Sequence, residues 1–343
     1  MRAKRSILAL AALLAGATGA QAQQKTLYVA GYGGSVETIM RQQVFPAFEK
    51  AQGVSISYVP GNSTDTLAKL QAQKDHPDLD VVIMDDGPMQ RAMQLGFCAK
   101  INPGPNYKNV YDLARMGDEA VATGVVATGI GYNADAFAKA GWQPPTSWVD
   151  LADPKFRGKL ATPGIDNTYG LQELIMFARI NGGDINKIDP GFTYMKDKIA
   201  PNMRAFESSP GRMSELFQSG EIVAAVWGSS RVAAVAATGF PLKFVFPKEG
   251  TPALFTTACV VKGAHDPADA QAFIETLLSP EVQTDFTTTA TGPVNKTVKL
   301  TPAQAQGLPY GPDQIAKLIT FDWSAINAQR DAWTRRWNRE IER

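Results

Sequence analysis

LYVAGYGGSVETI, residues 27–39, sets the fold class, because an apolar run passes through a glycine-rich turn into a helical pattern. Residues 25–30 read as a strand, and Val36, Ile39, Met40, Phe45 and Phe48 recur at roughly helical spacing. The loop at Gly33, Gly34 and Ser35 therefore lies between a strand end and a helix start, where unpaired N–H groups attract anions. Pro46 interrupts the pattern and predicts two helical pieces.

The same unit recurs along the chain. Strands are expected at 54–59, 79–84, 125–132, 159–162, 221–227, 242–246 and 254–261, with helices at 89–95, 134–140, 168–180 and 232–237. Asn62-Ser63-Thr64-Asp65 reads as the cap of a further helix. Short strands alternating with helices predict an α/β protein with largely parallel sheets. Four strand ends run into small or polar loops, namely GYGGS, MDDGP, TPGIDNTY and VWGSSR. Ligands of open α/β sheets bind beyond the carboxyl ends of strands, so these loops mark a cleft.

Familiar catalytic patterns are missing. GYGGSVE lacks the Lys-Ser/Thr ending of a phosphate-binding loop and the G-x-G-x-x-G spacing, and no G-x-S-x-G elbow occurs. His76 and His265 sit in polar, Pro-flanked contexts and read as surface residues. Asp85 and Asp86 can serve as an acid–base pair, a hard-cation site, or a helix cap beside a cleft-facing acid, and we favour the last. Arg231 follows a buried-type strand and three small residues, a position from which a guanidinium can hold a carboxylate or phosphate. Trp227, just before it, reads as core or as an aromatic cleft wall.

The chain has 343 residues. Its first part carries Arg2, Lys4 and Arg5, then an apolar run, then Ala20-Gln21-Ala22, the pattern of a secretory signal peptide over residues 1–22. Its removal takes three of the 34 basic residues and leaves 31 against 33 acids, a formal net charge of −2. Near neutrality argues against nucleic acid as a partner. Cys98 and Cys259 can pair in an oxidising compartment or remain two buried thiols.

Longer stretches carry a family likeness. FPAFEKAQGVSISYVPGNSTDTLAKL, DLDVVIMDDGPMQRAMQLG, GIGYNADAF, PTSWVDLADPKFRGKLATP, LFQSGEIVAAVWGSS, FVFPKEGTP and AFIETLLSPEVQTDF occur in an order that resembles the periplasmic solute-binding proteins of ABC transporters. The spermidine/putrescine-binding branch is the most similar. The resemblance implies a two-lobe binding-protein fold of type II with the ligand cleft between the lobes. Lobe 1 would occupy 25–130, lobe 2 131–248, and 249–343 would return to lobe 1 with the C-terminal helices. It implies a monomer in the periplasm that captures a small solute without a cofactor and delivers it to an inner-membrane permease with its ATPase.

Two departures shape the expected ligand. Polyamine binders of this family carry an acid after the KEG turn, where Thr256 and Thr257 stand here, and Arg231 lies just beyond Trp227. A carboxylate, amino acid or phosphonate is thus expected before a polyamine. Arg231 would hold its anionic group with the amides of Gly33, Gly34 and Ser35. Thr168, Tyr169 and Thr256 would add polar contacts, Trp227 an apolar wall, and Asp85 or Asp86 a partner for any amine. Alternatives are polyamine binding, a thiaminase-like enzyme using a cysteine, and presentation of the ligand to a membrane sensor.

Overall fold

The computed structural model describes residues 25–305, 307–316 and 318–342; the expected signal peptide lies outside them. Among the described residues ten strands form the frame: β1 (Thr26–Tyr32), β2 (Ser55–Gly61), β3 (Val81–Asp85), β4 (Arg115–Met116), β5 (Ala120–Asn133), β6 (Leu160–Thr162), β7 (Met203–Phe206), β8 (Ala224–Gly228), β9 (Leu242–Val245) and β10 (Ala253–Val260). Their order is β2-β1-β3-β10-β5-β8-β6-β7, with β4 and β9 also paired to β5. The first three strands are mutually parallel, as are β7, β6 and β8, whereas β10 and β5 run against their neighbours.

β5 belongs to both lobes. Its residues up to Ala127 pair with β10, and from Thr128 onward they pair with β8 and β9. The chain returns between β9 and β10, where Glu249 accepts hydrogen bonds from Ser147 Oγ and the Trp148 amide, and Trp148 Nε1 donates to the Gly250 carbonyl at 3.0 Å.

Both sheet faces are covered, which is why the central strands read as continuous apolar runs rather than alternating ones. On β3, Val81 and Ile83 enter one core with Phe45, Phe48 and Phe273, while Val82 and Met84 enter another with Leu70 and Met89. On β8, Ala224 and Val226 face Phe177 and Phe192, while Ala225 and Trp227 face Phe217 and Val232. Cys98 and Cys259 are joined by a disulfide across the second face of lobe 1.

The structure differs from expectation at two places. Helical backbone continues from Ser35–Ile39 through a wide π turn at Met40–Val44 into Phe45–Gln52, so Pro46 is absorbed in the first turn of the last piece. The closing helix Trp323–Glu340, expected on lobe 1, straddles both lobes. Asn327 Nδ2 donates to the Gly87 carbonyl in lobe 1 at 2.9 Å, whereas Trp333 and Trp337 are buried in the core of lobe 2. The stripe formed by Trp323, Ile326, Trp333 and Trp337 joins the core of lobe 2, while the Trp323 ring also lies against Gly87 of lobe 1. Among the described residues, no helix is long and apolar enough to cross a membrane.

Candidate functional site

A cleft of about 570 Å³ opens at the carboxyl ends of the strands and takes its walls from both lobes. From lobe 1 come Tyr32, Gly33 and Gly34 after β1, residues 60–65 after β2, and Asp85 at the end of β3. From lobe 2 come Asp166 to Tyr169, Ser208 to Gly211 after β7, and Trp227 and Arg231 around the end of β8. All four loops marked in the sequence contribute.

Local geometry explains who faces in. Gly34 adopts φ 69°, a left-handed conformation that a side chain would resist, and so turns the chain into the helix Ser35–Ile39. A Cβ placed on Gly34 would lie 3.7 Å from Arg231 Nη1, so the guanidinium of lobe 2 reaches the glycine lip of lobe 1. Arg231 is in none of the ion pairs formed among the described residues. Trp227 is buried, stacking on Phe217 with ring centroids 6.3 Å apart, and lines the cleft.

The acids behave differently. Asp85 keeps extended backbone, with ψ 153°, and points along the cleft floor. Its Oδ1 accepts from Tyr32 Oη and its Oδ2 from Thr168 Oγ1, each at 2.5 Å, while its amide donates to Ser63 Oγ at 2.9 Å. Asp86 is the first helical residue and turns away beneath Trp323; burial pushes its carboxyl up to about 8, and the Asp85 charge adds to this. Among the described residues its Oδ1 has no hydrogen-bond partner. Asp166 Oδ1 accepts from Ser208 Oγ at 3.0 Å. Tyr169 is buried between charges of opposite sign, with burial and Asp85 raising its hydroxyl to about 12 against the pull of Arg231.

Three expected ligand groups are not on the cleft wall. Ser35 lies just behind the lip. Asp86 is excluded by the helical turn that points it into the protein. Thr256 pairs with Asp85 in the β10–β3 register, but its Oγ1 donates to the Gly124 carbonyl at 3.3 Å, between β10 and β5. Gly33, Gly34, Asp85, Thr168, Tyr169, Trp227 and Arg231 do come together. Sequence reading missed Tyr32, residues 60–65 and the loop 208–211 as walls. Asn62 to Asp65 carried a capping signal, which Asn62 Oδ1 satisfies by accepting from the Asp65 amide, and the same turn fronts the cleft. The loop 208–211 follows the short β7, for which no periodic pattern exists in the sequence.

A family of bacterial extracellular solute-binding proteins matches this chain over residues 43–309. The chain belongs to that family. This solute-binding protein is 27% identical to the gamma-aminobutyric acid-binding protein of Pseudomonas aeruginosa, over 88% of its own length and 87% of that relative. It is also 27% identical to the spermidine/putrescine-binding periplasmic protein of Escherichia coli, over 81% and 80% of the two chains. Among solved structures, an ABC transporter protein of Clostridium perfringens superposes with a TM-score of 0.72 at 27% identity, covering 92% of this chain and 99% of that one. With Cys98 and Cys259 bonded to each other, neither sulfur of this solute-binding protein is a free thiolate nucleophile.

Proposed function

We propose that the protein captures a small zwitterion with an anionic group at one end and an amine at the other, such as an ω-amino acid or aminophosphonate, and hands it to an ABC permease. The observation that carries this is Arg231, a cation without an acid partner among the described residues, in a cleft also lined by Asp65, Asp85 and Asp166. A carboxylate or phosphonate pairs with two parallel N–H bonds of a guanidinium, and the acids attract an ammonium at the other end. A diamine would leave Arg231 facing a like charge. The volume suits a small molecule, and the apolar ring of Trp227 in the wall suits a short carbon chain. The names of the relatives, one an amino-acid binder and one a polyamine binder, bracket this choice.

Titration calorimetry with 4-aminobutyrate, 2-aminoethylphosphonate, glutarate, putrescine and spermidine tests it. An amino acid or aminophosphonate should bind best, and Arg231→Ala should weaken it by about ten- to a hundred-fold, the range for a hydrogen-bonded charge. Tight spermidine binding that survives Arg231→Ala refutes the proposal.

A further inference from the structure

Among the walls of the cleft, Asp85 is unusual because its two carboxylate oxygens are claimed by hydroxyls from opposite lobes. Tyr32 Oη, which reaches Oδ1, comes from the end of β1 in lobe 1, the lobe of Asp85 itself. Thr168 Oγ1, which reaches Oδ2, stands at the start of the helix Thr168–Ile180 in lobe 2. Both carboxylate and hydroxyl are buried, Thr168 at 2% exposure and Asp85 at 9%. A hydrogen bond to an ionised acceptor away from water is about twice as strong as a neutral one.

A second strap crosses the cleft beside it. Thr64 Oγ1, on the lobe 1 helix Ser63–Ala72, donates at 3.0 Å to the carbonyl of Asp166 in the loop that leads to Thr168. The same carbonyl accepts from Arg330 Nη2 at 2.8 Å, so the closing helix fixes the loop that both straps hold.

We infer that Asp85 is a positioning residue that latches the lobes together through Thr168, with Thr64 as a second strap. Its two oxygens each already receive an O–H along the floor, and its amide is taken by Ser63. Closure gains from the Asp85–Thr168 contact whatever the solute. The inference builds on the cleft reading above, yet its test requires no solute, so a wrong ligand class and a wrong latch give different results.

The test is small-angle scattering of dialysed full-length mature protein with no solute added, for wild type, Thr168→Val, Thr64→Val and Tyr32→Phe. Wild type should be compact. Thr168→Val should give a larger radius of gyration, because loss of a hydrogen bond to a carboxylate shifts the closing equilibrium about ten- to a hundred-fold toward the open form. Thr64→Val, at an exposed residue where folding is not at stake, should expand the protein to a smaller degree. Tyr32→Phe removes a bond internal to lobe 1 and should leave the scattering profile as in wild type. The latch is refuted if wild type is already as expanded as Thr168→Val, if neither threonine variant expands, or if Tyr32→Phe expands as much as Thr168→Val.

Discussion

Gly228 lies directly beneath the ring of Tyr169: a Cβ on Gly228 would come 2.2 Å from Tyr169 Oη and 2.5 Å from its Cζ. The strand that carries Trp227 and the helix that carries Thr168 can meet at the cleft only because position 228 has no side chain. Gly228→Ala should drive the Tyr169 ring toward the cleft and weaken solute binding, with a stability loss of about 1–3 kcal/mol. Adding Tyr169→Ala removes the clash, so the double variant should lose less stability than the sum of the two single changes, without regaining the binding. Urea unfolding and calorimetry on the single and double variants measure the two effects separately; a fully stable Gly228→Ala protein would contradict the geometry.

The disulfide closes a loop of 161 residues that contains most of lobe 2. A cross-link over such a loop restricts the unfolded chain, so its removal should destabilise the protein by about 2–5 kcal/mol. Melting of wild type with and without reductant, beside the double variant Cys98→Ser/Cys259→Ser, checks this. Equal midpoints in all three would show that the bridge contributes nothing.

Glu173 and Asp86 give stability a pH dependence of definite sign. Burial raises each carboxyl to about 8, from 4.5 and 3.8 respectively, with the Thr162 hydroxyl opposing the shift at Glu173. The folded form therefore binds these protons more tightly than the unfolded chain. Their contribution is complete below the ordinary carboxylate range and is lost as pH rises toward about 8. The urea midpoint of wild type should fall between pH 5 and pH 8.5. Glu173→Gln, which stays uncharged, should show a shallower fall and exceed wild type at pH 8.5; parallel curves for the two proteins would assign the dependence elsewhere.

Trp337 is fully buried in lobe 2, packs edge-on against Phe206 at 5.6 Å, and donates through Nε1 to Glu342 Oε2 at 3.0 Å. Trp337→Ala should cost about 3–5 kcal/mol, the range for removing a large buried aromatic. Hydrogen exchange should localise the loss of protection to lobe 2, and a loss confined to lobe 1 would contradict this placement.

The α/β architecture was legible because buried strands and capped helices carry strong local patterns. Helices at Ala134–Ala140 and Thr168–Ile180 appear where periodicity puts them, and the structure caps them with Asn133 and Asn167. The four cleft loops followed from one rule about strand ends, and Arg231 and Asp85 from their positions just past buried strands. What escaped was set by tertiary contacts. Asp85 and Asp86 are neighbours of the same type, and only the onset of the helix decides which faces the cleft. Thr256 faces β5 because of a register shift in β10 at Thr256/Thr257, which no local pattern encodes. The closing helix shows an apolar stripe in sequence, but its partner, the core around Phe206 and Phe192, is more than a hundred residues away.

The straddling position of that helix governs when the polypeptide can fold as it is made. The sheet of lobe 1 lacks β10 until residue 260 has left the ribosome, and the core of lobe 2 lacks Trp333 and Trp337 until residue 337 has emerged. Lobe 2 thus completes its core after lobe 1 has received its last central strand, although most of lobe 2 precedes that strand in the chain.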